Sequence, residues 1–235
     1  KGPTNVINSV AYFPDGCHIV SASQDKMGIV WDVESGRQDG KRLHHNSIVK
    51  SMAISPDGRR IASGTEKGSL DVWDTLTREV VHEIKGDGVY RLAYSPDGRW
   101  IVSAPIVDEW VVRLWDADTG RPGREPLKCD GGVYCVKCMS ITTDGRKIAS
   151  GGWDDTVRPG VWDLETRLQV GDSFDAPGWL DSVAFSTDSR YVGGGRDNDV
   201  CIFDTESFAT QGSVNTFILL QYPFKLSTSV FPAHR

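Results

Sequence analysis

The sequence has no N-x-Ser/Thr sequon and no leader-like segment at its start, and its five cysteines are odd in number and irregularly spaced. A disulfide framework is therefore not indicated, and a cytoplasmic setting is expected. Lys1 rather than Met opens the sequence, which fits a module of a larger protein or complex. No apolar run approaches the roughly 20 residues needed to cross a bilayer, so no membrane association is expected. Basic residues are in deficit: 26 Lys and Arg stand against 32 Asp and Glu, for a net charge of −6. That balance argues against a general nucleic-acid binder, whose affinity comes mainly from neutralising phosphates.

Catalytic patterns are missing too. There is no G-x-S-x-G elbow and no H-E-x-x-H, so no catalytic constellation can be assembled and an enzyme is not expected. Gly36-Arg-Gln-Asp-Gly40-Lys41 resembles a phosphate loop, but its glycine interval is one residue short and Arg42 stands where Ser or Thr is needed. Gly193-Gly-Gly195 lacks the third glycine and following helix of a dinucleotide site. Cys135-x-x-Cys138, near Cys129, is one cysteine pair where a structural zinc site usually needs two. Neither a cofactor nor a metal is expected.

What the chain does have is a repeat. Ser55 to Asp74 reads as a Pro-Asp-Gly turn, a short apolar run (Ile61, Ala62), a glycine turn, and an alternating run closing on Trp73-Asp74. The closing pair recurs as Trp31-Asp32, Trp115-Asp116, Trp162-Asp163 and Phe203-Asp204, at spacings of 42, 42, 47 and 41 residues. The turn recurs at Pro14-Asp15-Gly16, Pro56-Asp57-Gly58 and Pro96-Asp97-Gly98, and in eroded form at Thr143-Asp144-Gly145 and Thr187-Asp188-Ser189. Ahead of each turn, large residues alternate with small ones: Val10 and Tyr12 against Ser9 and Ala11, Met52 and Ile54 against Ser51 and Ala53, Val183 and Phe185 against Ser182 and Ala184. Successive strand residues face opposite sides, so each such strand is large on one face and small on the other, suited to burial on both faces by stacked neighbours.

These features resemble the WD-repeat family, whose blades are marked by a period of about 40–45 residues ending in Trp-Asp. The resemblance covers roughly residues 2 to 214 and implies an all-β fold, a β-propeller with five recognisable four-stranded blades. The blades are expected at about 2–45, 46–86, 87–131, 132–176 and 177–214. In the second, strands are expected near 48–54, 60–64, 69–73 and 79–84. How the ring closes and how many blades complete it stay open. Two extra residues between Ser103 and Trp115, and Pro159-Gly160 in the fourth blade, mark departures, the proline implying a bulge or an edge position. Residues 215–235 carry no acid and include Phe217-Ile218-Leu219-Leu220, so they are expected to add strands, as a partial blade, rather than to fray.

The resemblance also implies roles. A buried Asp, His, Ser and Trp often form a hydrogen-bonded set in each blade of the family. Matching positions are Ser21, Asp25 and Trp31 in the first blade and Ser150, Asp154 and Trp162 in the fourth, with Trp73, Trp115 and Phe203 as the other closing aromatics. Only the second blade keeps a histidine, His45, read as structural, and there Lys67 replaces the Asp. Partner contacts in the family cluster at the residue before the turn Asp and at the entry to the first strand. Carried over, these are Gln24, Glu66, Trp153 and Arg196, with Tyr134 and Trp179. Trp and Arg are over-represented at binding hot spots, so Trp153, Trp179 and Arg196 are the sharpest candidates for contacting a protein or peptide. The phrases at Thr119-Gly120-Arg121 and Asp144-Gly145-Arg146 resemble the repeats of fungal NACHT and WD-repeat proteins. The expected function is a non-catalytic interaction scaffold. Alternatives are a ligand-sensing or autoinhibitory module of a NACHT/WD-repeat receptor, or a substrate-recognition propeller of a ubiquitin ligase, for which Arg113 and Arg158 stand at corresponding strand positions.

Overall fold

A computed structural model describes residues 2–86, 88–105, 111–123, 125–128, 136–152, 160–171, 182–196, 199–207 and 210–215. Every regular element among them is a β-strand. The first blade holds β1 (Ile7–Tyr12), β2 (His18–Ser23), β3 (Met27–Asp32) and β4 (Gln38–His44). The second holds β5 (Val49–Ile54), β6 (Arg60–Thr65), β7 (Ser69–Asp74) and β8 (Val80–Lys85). The third holds β9 (Val89–Tyr94), β10 (Trp100–Pro105), β11 (Val111–Asp116) and the short β12 (Leu127–Lys128). The fourth holds β13 (Val136–Ile141), β14 (Lys147–Gly152) and β15 (Gly160–Asp163), and the fifth β16 (Ser182–Phe185), β17 (Tyr191–Arg196), β18 (Asp199–Asp204) and β19 (Thr210–Asn215). Each blade is one antiparallel meander in sequence order. The second blade follows its expected strands to within two residues at each end.

The turns explain why the chain reverses where it does. In four blades a Ser or Thr hydroxyl donates to the Asp two residues on: Ser55 to Asp57 at 2.6 Å, and Ser95 to Asp97, Thr142 to Asp144 and Ser186 to Asp188 at 2.5 Å each. In the first blade Phe13 takes the hydroxyl position, and the Asp15 carboxylate instead meets His18 Nδ1 at 2.7 Å. These bonds hold the five carboxyls below their ordinary range, with His18, Ser55, Ser95, Thr142 and Ser186 as the respective leading causes. Each fixes the local Asx geometry that favours a turn over strand continuation.

The outer strands depart from the uniform expectation. In the third blade β12 pairs with β11 only at Val111 and Val112, and Trp115 meets Pro122 in an isolated bridge. Pro122 and Pro126 cannot donate to a ladder, so the strand gives way to an irregular segment between them. In the fourth blade the expected outer strand is represented among the described residues by one bridge, Trp162 to Gln169. Gly160 opens β15, while Pro159 and the tail at 216–235 lie outside the described residues.

Core clusters straddle consecutive blades. The first and second blades form one compact unit, through Val89, and the third to fifth a second, from Tyr90. In the first unit Val20, Ala22, Val30 and Leu43 of one blade meet Val49, Met52, Ile61 and Trp73 of the next. In the second unit Val102, Ala104, Val112 and Leu114 meet Val136, Ile148 and Trp162, and Cys138, Ala149 and Val161 meet Val183, Phe185, Val192 and Phe203. Each blade thus has a leading face, with the closing aromatic and the large residues of its first strand, and a trailing face of smaller residues. Met52 seats on the first blade where Gly28 leaves room: a Cβ there would lie 2.3 Å from the Met52 methyl. Small-face hydroxyls also tie the first strands of successive blades, Ser9 Oγ accepting from Met52 N at 3.3 Å and Ser140 Oγ from Phe185 N at 3.2 Å.

Burial on both faces holds for β5 but not for β1. Val10 and Tyr12, expected to be covered like Met52 and Ile54, are exposed. The difference lies in packing: the large face of β5 is buried against the first blade, where Met52 meets Gly28 and Leu43.

Candidate functional site

Of the residues expected to meet a partner, Gln24, Glu66 and Arg196 lie among the described residues, and each stands at the turn between the second and third strands of its blade. Gln24 opens the β2–β3 turn, and its backbone N–H donates to Val6 O at 2.9 Å, just ahead of β1. Glu66 repeats this in the next blade, donating to Ile48 O at 2.9 Å ahead of β5. The residue before the turn therefore adjoins the entry to the first strand, because β1–β2 and β5–β6 are antiparallel pairs closed by this extra bond. Gln24 is half-buried; Glu66 is exposed, and its carboxylate meets Lys50 Nζ at 3.2 Å. Arg196 ends β17 opposite Asp199. Trp153, Trp179 and Tyr134 lie outside the described residues, as do Asp154 and Arg158.

Behind this end stands the polar core of the blades. Trp Nε1 donates to a Ser hydroxyl of the neighbouring strand: Trp31 to Ser21 at 2.9 Å, and Trp73 to Ser63 and Trp115 to Ser103 at 2.8 Å each. Trp73, Trp162 and Phe203 are buried, whereas Trp31 and Trp115 are half-buried. His45 completes the set in the second blade. Its Nε2 lies 2.8 Å from Ser63 Oγ, and its ring stands edge-on to Trp73 with centroids 5.0 Å apart. Ser63 Oγ also reaches Asp71 O at 3.3 Å, so one arrangement satisfies it: it accepts from Trp73 and His45 and donates to Asp71.

His45 Nδ1, the acceptor nitrogen of that tautomer, is buried with no hydrogen-bond partner among the described residues, and Lys67 stands where the family has an Asp. Burial pushes the His45 pKa down to about 4, keeping the ring neutral at physiological pH. Asp25, the acid that the first blade keeps, is used otherwise: it accepts from Thr4 N at 2.7 Å, Thr4 Oγ1 at 3.1 Å and Met27 N at 3.1 Å. It pins the chain's entry rather than a histidine, since Pro3 fills the histidine position.

Three features were not legible as sites in the sequence. Arg78 occupies a left-handed turn position, φ 60°, equivalent to Gly36 and Gly120, and reaches back a whole blade to Asp39 at 2.7 Å. Arg167 repeats that turn geometry at φ 64° and donates to the Glu125 carbonyl of the preceding blade. The only sequence signal was arginine at a glycine position. Beside the shortened β12 lies an open cleft of about 550 Å³, lined by Arg113, Trp115, Pro122, Glu125 and Pro126 among others. Asp71 faces Ser63 in the register that places Arg113 opposite Ser103, and burial raises its pKa. An acid at that strand position runs against an arginine cluster shared across blades. Among the described residues no three His, Cys, Asp or Glu side chains gather in a way that could hold a metal.

The geometry of this site is that of a repeated family. The family model for the WD domain, G-beta repeat, matches residues 1–32, 38–74, 78–116, 125–158 and 170–204. Periodic tryptophan protein 2 of Saccharomyces cerevisiae is 29% identical over 219 residues, which cover 92% of this chain and 23% of that protein. The homolog of that protein in Schizosaccharomyces pombe is 33% identical over 101 residues, 43% of this chain and 11% of its own length. Serine-threonine kinase receptor-associated protein of Dictyostelium discoideum is 26% identical over 196 residues, 83% of this chain and 64% of that protein. The chain therefore spans about a quarter or less of the periodic tryptophan proteins it matches. With five matched repeats lying over five meander blades, the chain belongs to the WD domain, G-beta repeat family.

Proposed function

We propose that this chain is a non-catalytic protein-interaction module that binds a protein or peptide through the turn ends carrying Gln24, Glu66, Trp153 and Arg196 and the strand entries at Tyr134 and Trp179. The observation that supports this reading is the bond from the residue before the turn to the strand entry, Gln24 to Val6 and Glu66 to Ile48, which sets these two kinds of position side by side in the first two blades. Such a surface needs no reacting group; affinity comes from a few buried anchors within a wider complementary patch. The cytoplasmic setting expected from the cysteines is part of the same proposal, and imaging a tagged chain tests it.

The narrower likeness to NACHT/WD-repeat receptors gains no support from the names of the relatives above, and the full-length gene product decides it: an upstream nucleotide-binding domain favours a sensing module. The ubiquitin-ligase reading is weakened by Asp71. The experiment for the main reading recovers a partner by pull-down and compares Trp153→Ala, Trp179→Ala, Arg196→Ala and Glu66→Ala with Arg59→Ala, a control at the opposite end of the second blade. Loss of about 2 kcal/mol or more of binding free energy at an anchor, roughly 30-fold in affinity, with an unchanged melting temperature supports the reading. Loss of folding instead of binding in the tryptophan variants would show them to be core residues.

A further inference from the structure

Two turns of the first compact unit break the repeat in the same direction. The β2–β3 turn, Gln24-Asp25-Lys26, and the β6–β7 turn, Glu66-Lys67-Gly68, are equivalent by their backbone bonds. Lys26 N donates to Ser23 O at 3.2 Å, as Gly68 N does to Thr65 O at 3.4 Å. Lys26 O accepts from His45 N at 3.0 Å, as Gly68 O does from Gly86 N at 2.8 Å. Yet Lys26 holds φ 70° where Gly68 holds φ 94°, so a lysine takes the left-handed conformation at a place suited to glycine. Lys67 stands where Asp25 of the first blade accepts from Thr4 and Met27, and an ammonium can accept no bond. One turn gives up backbone fit and the other a carboxylate that ties the turn. Each thereby sets an exposed lysine at the same end of adjacent blades. Departures of this kind from local consistency concentrate at functional positions.

The two charges are not answered nearby. Lys50 meets Glu66 at 3.2 Å and Lys85 meets Glu83 at 3.9 Å, so those lysines have acids of their own. Lys26 and Lys67 have no acidic partner among the described residues, and the Asp25 carboxylate between Gln24 and Lys26 is taken up by Thr4 and Met27. His45 joins the two turns: its N–H reaches the Lys26 carbonyl, and its ring bonds Ser63 in the strand that leads into the Lys67 turn. Two unanswered lysines thus stand in adjacent turns of a chain whose net charge is −6.

We propose that this end of the first two blades binds an acidic segment of a protein partner, whose carboxylates meet Lys26 and Lys67. The inference rests on the protein-interaction reading above and names the chemistry of the partner. Screening limits each lysine to charges within about 8 Å at physiological salt, so a short run of Asp or Glu is met locally, apart from the chain's other acids. A long polyanion such as RNA would extend past these turns onto a chain in acidic excess, which opposes it. Lysine is also a single point charge on a flexible stem. It suits one carboxylate apiece rather than the two-pronged grip that arginine gives a phosphate.

The test is fluorescence anisotropy of the purified chain with a labelled poly-glutamate peptide, alongside poly-glutamine of equal length and oligouridylate of equal charge. Poly-glutamate should bind, poly-glutamine should not, and oligouridylate should bind more weakly than poly-glutamate. Lys26→Gly and Lys67→Gln should each weaken poly-glutamate binding about 5-fold, the upper range for an exposed charge pair. Lys67→Arg should retain it, and Arg59→Gln, which removes a cation at the opposite end of the second blade, should leave it unchanged. Lys26→Gly should also raise the melting temperature, because glycine relieves the turn; affinity lost while stability is gained is not the signature of a structural lysine. No binding of poly-glutamate, undiminished binding by both lysine variants, or tighter binding of oligouridylate would overturn the proposal. So would a pulled-down partner that is lost in Arg196→Ala yet held normally by Lys26→Gly and Lys67→Gln, a result that leaves the protein-interaction reading standing.

Discussion

His45 Nε2 and Ser63 Oγ lie 2.8 Å apart in the core of the second blade, and His45 Nδ1 has no hydrogen-bond partner among the described residues. Burial holds the ring neutral, outweighing the backbone carbonyls of Lys26 and Leu43, which favour the proton. A group whose folded pKa, about 4, lies below its unfolded value of 6.5 gains no proton on folding. Its contribution to stability is therefore whole above pH 6.5 and is lost as pH falls toward 4. Between pH 7 and pH 4.5 the expected loss is about 2 kcal/mol, separate from the carboxylates, whose own losses come at lower pH. Urea unfolding of wild type and His45→Phe at the two pH values checks this: the wild type should lose stability over the interval and the variant should lose far less.

Arg78 combines strain with reach. A non-glycine residue at φ 60° is disfavoured by about 1 kcal/mol, and the Asp39 contact offsets that cost. Arg78→Ala should therefore destabilise by about 1–2 kcal/mol, and Arg78→Gly by about 1 kcal/mol less, since glycine loses the contact but not the backbone fit. Thermal unfolding of the two variants separates the terms. Equal losses would mean that the turn carries no strain.

Ser189 holds φ 63° in the fifth blade's turn, where Gly16, Gly58, Gly98 and Gly145 hold the same place at φ 68–73°. Ser189→Gly should stabilise the chain by about 0.5–1 kcal/mol, read as a rise in melting temperature. A fall would show that the Ser189 side chain contributes more than its backbone costs.

Much of this fold was legible because its signals are local. Pro-Asp-Gly turns, strand alternation and the Trp-Asp period each depend on a few adjacent residues, and β5 to β8 follow from them. The burial of Trp73 and of His45 was legible through the repeat, since the same place recurs in register. Other features depend on what lies across a blade interface and leave no such trace. Val10 and Met52 read alike in sequence; only the presence of a blade against Met52 makes one exposed and the other buried. Arg78 looks like a solvated turn residue, and its ion pair is set by Asp39, 39 residues earlier. The short β12 follows from Pro122 and Pro126, whose missing donors could have announced it. Of the partner-facing candidates, Gln24 and Glu66 are placed at one sheet end by bonds that strand pairing predicts, while the aromatic ones fall outside the described residues.

The account stands or falls on blades that bury one another with a fixed polarity, leading face on trailing face. The most direct measurement is chemical denaturation of Met52→Asp and Val10→Asp, two substitutions at equivalent positions. Met52→Asp places a charge in the contact with Gly28 and Leu43 and should lose about 3 kcal/mol or more, while Val10→Asp on the open face should change stability by about 0.5 kcal/mol or less. Equal losses at the two positions would contradict the account.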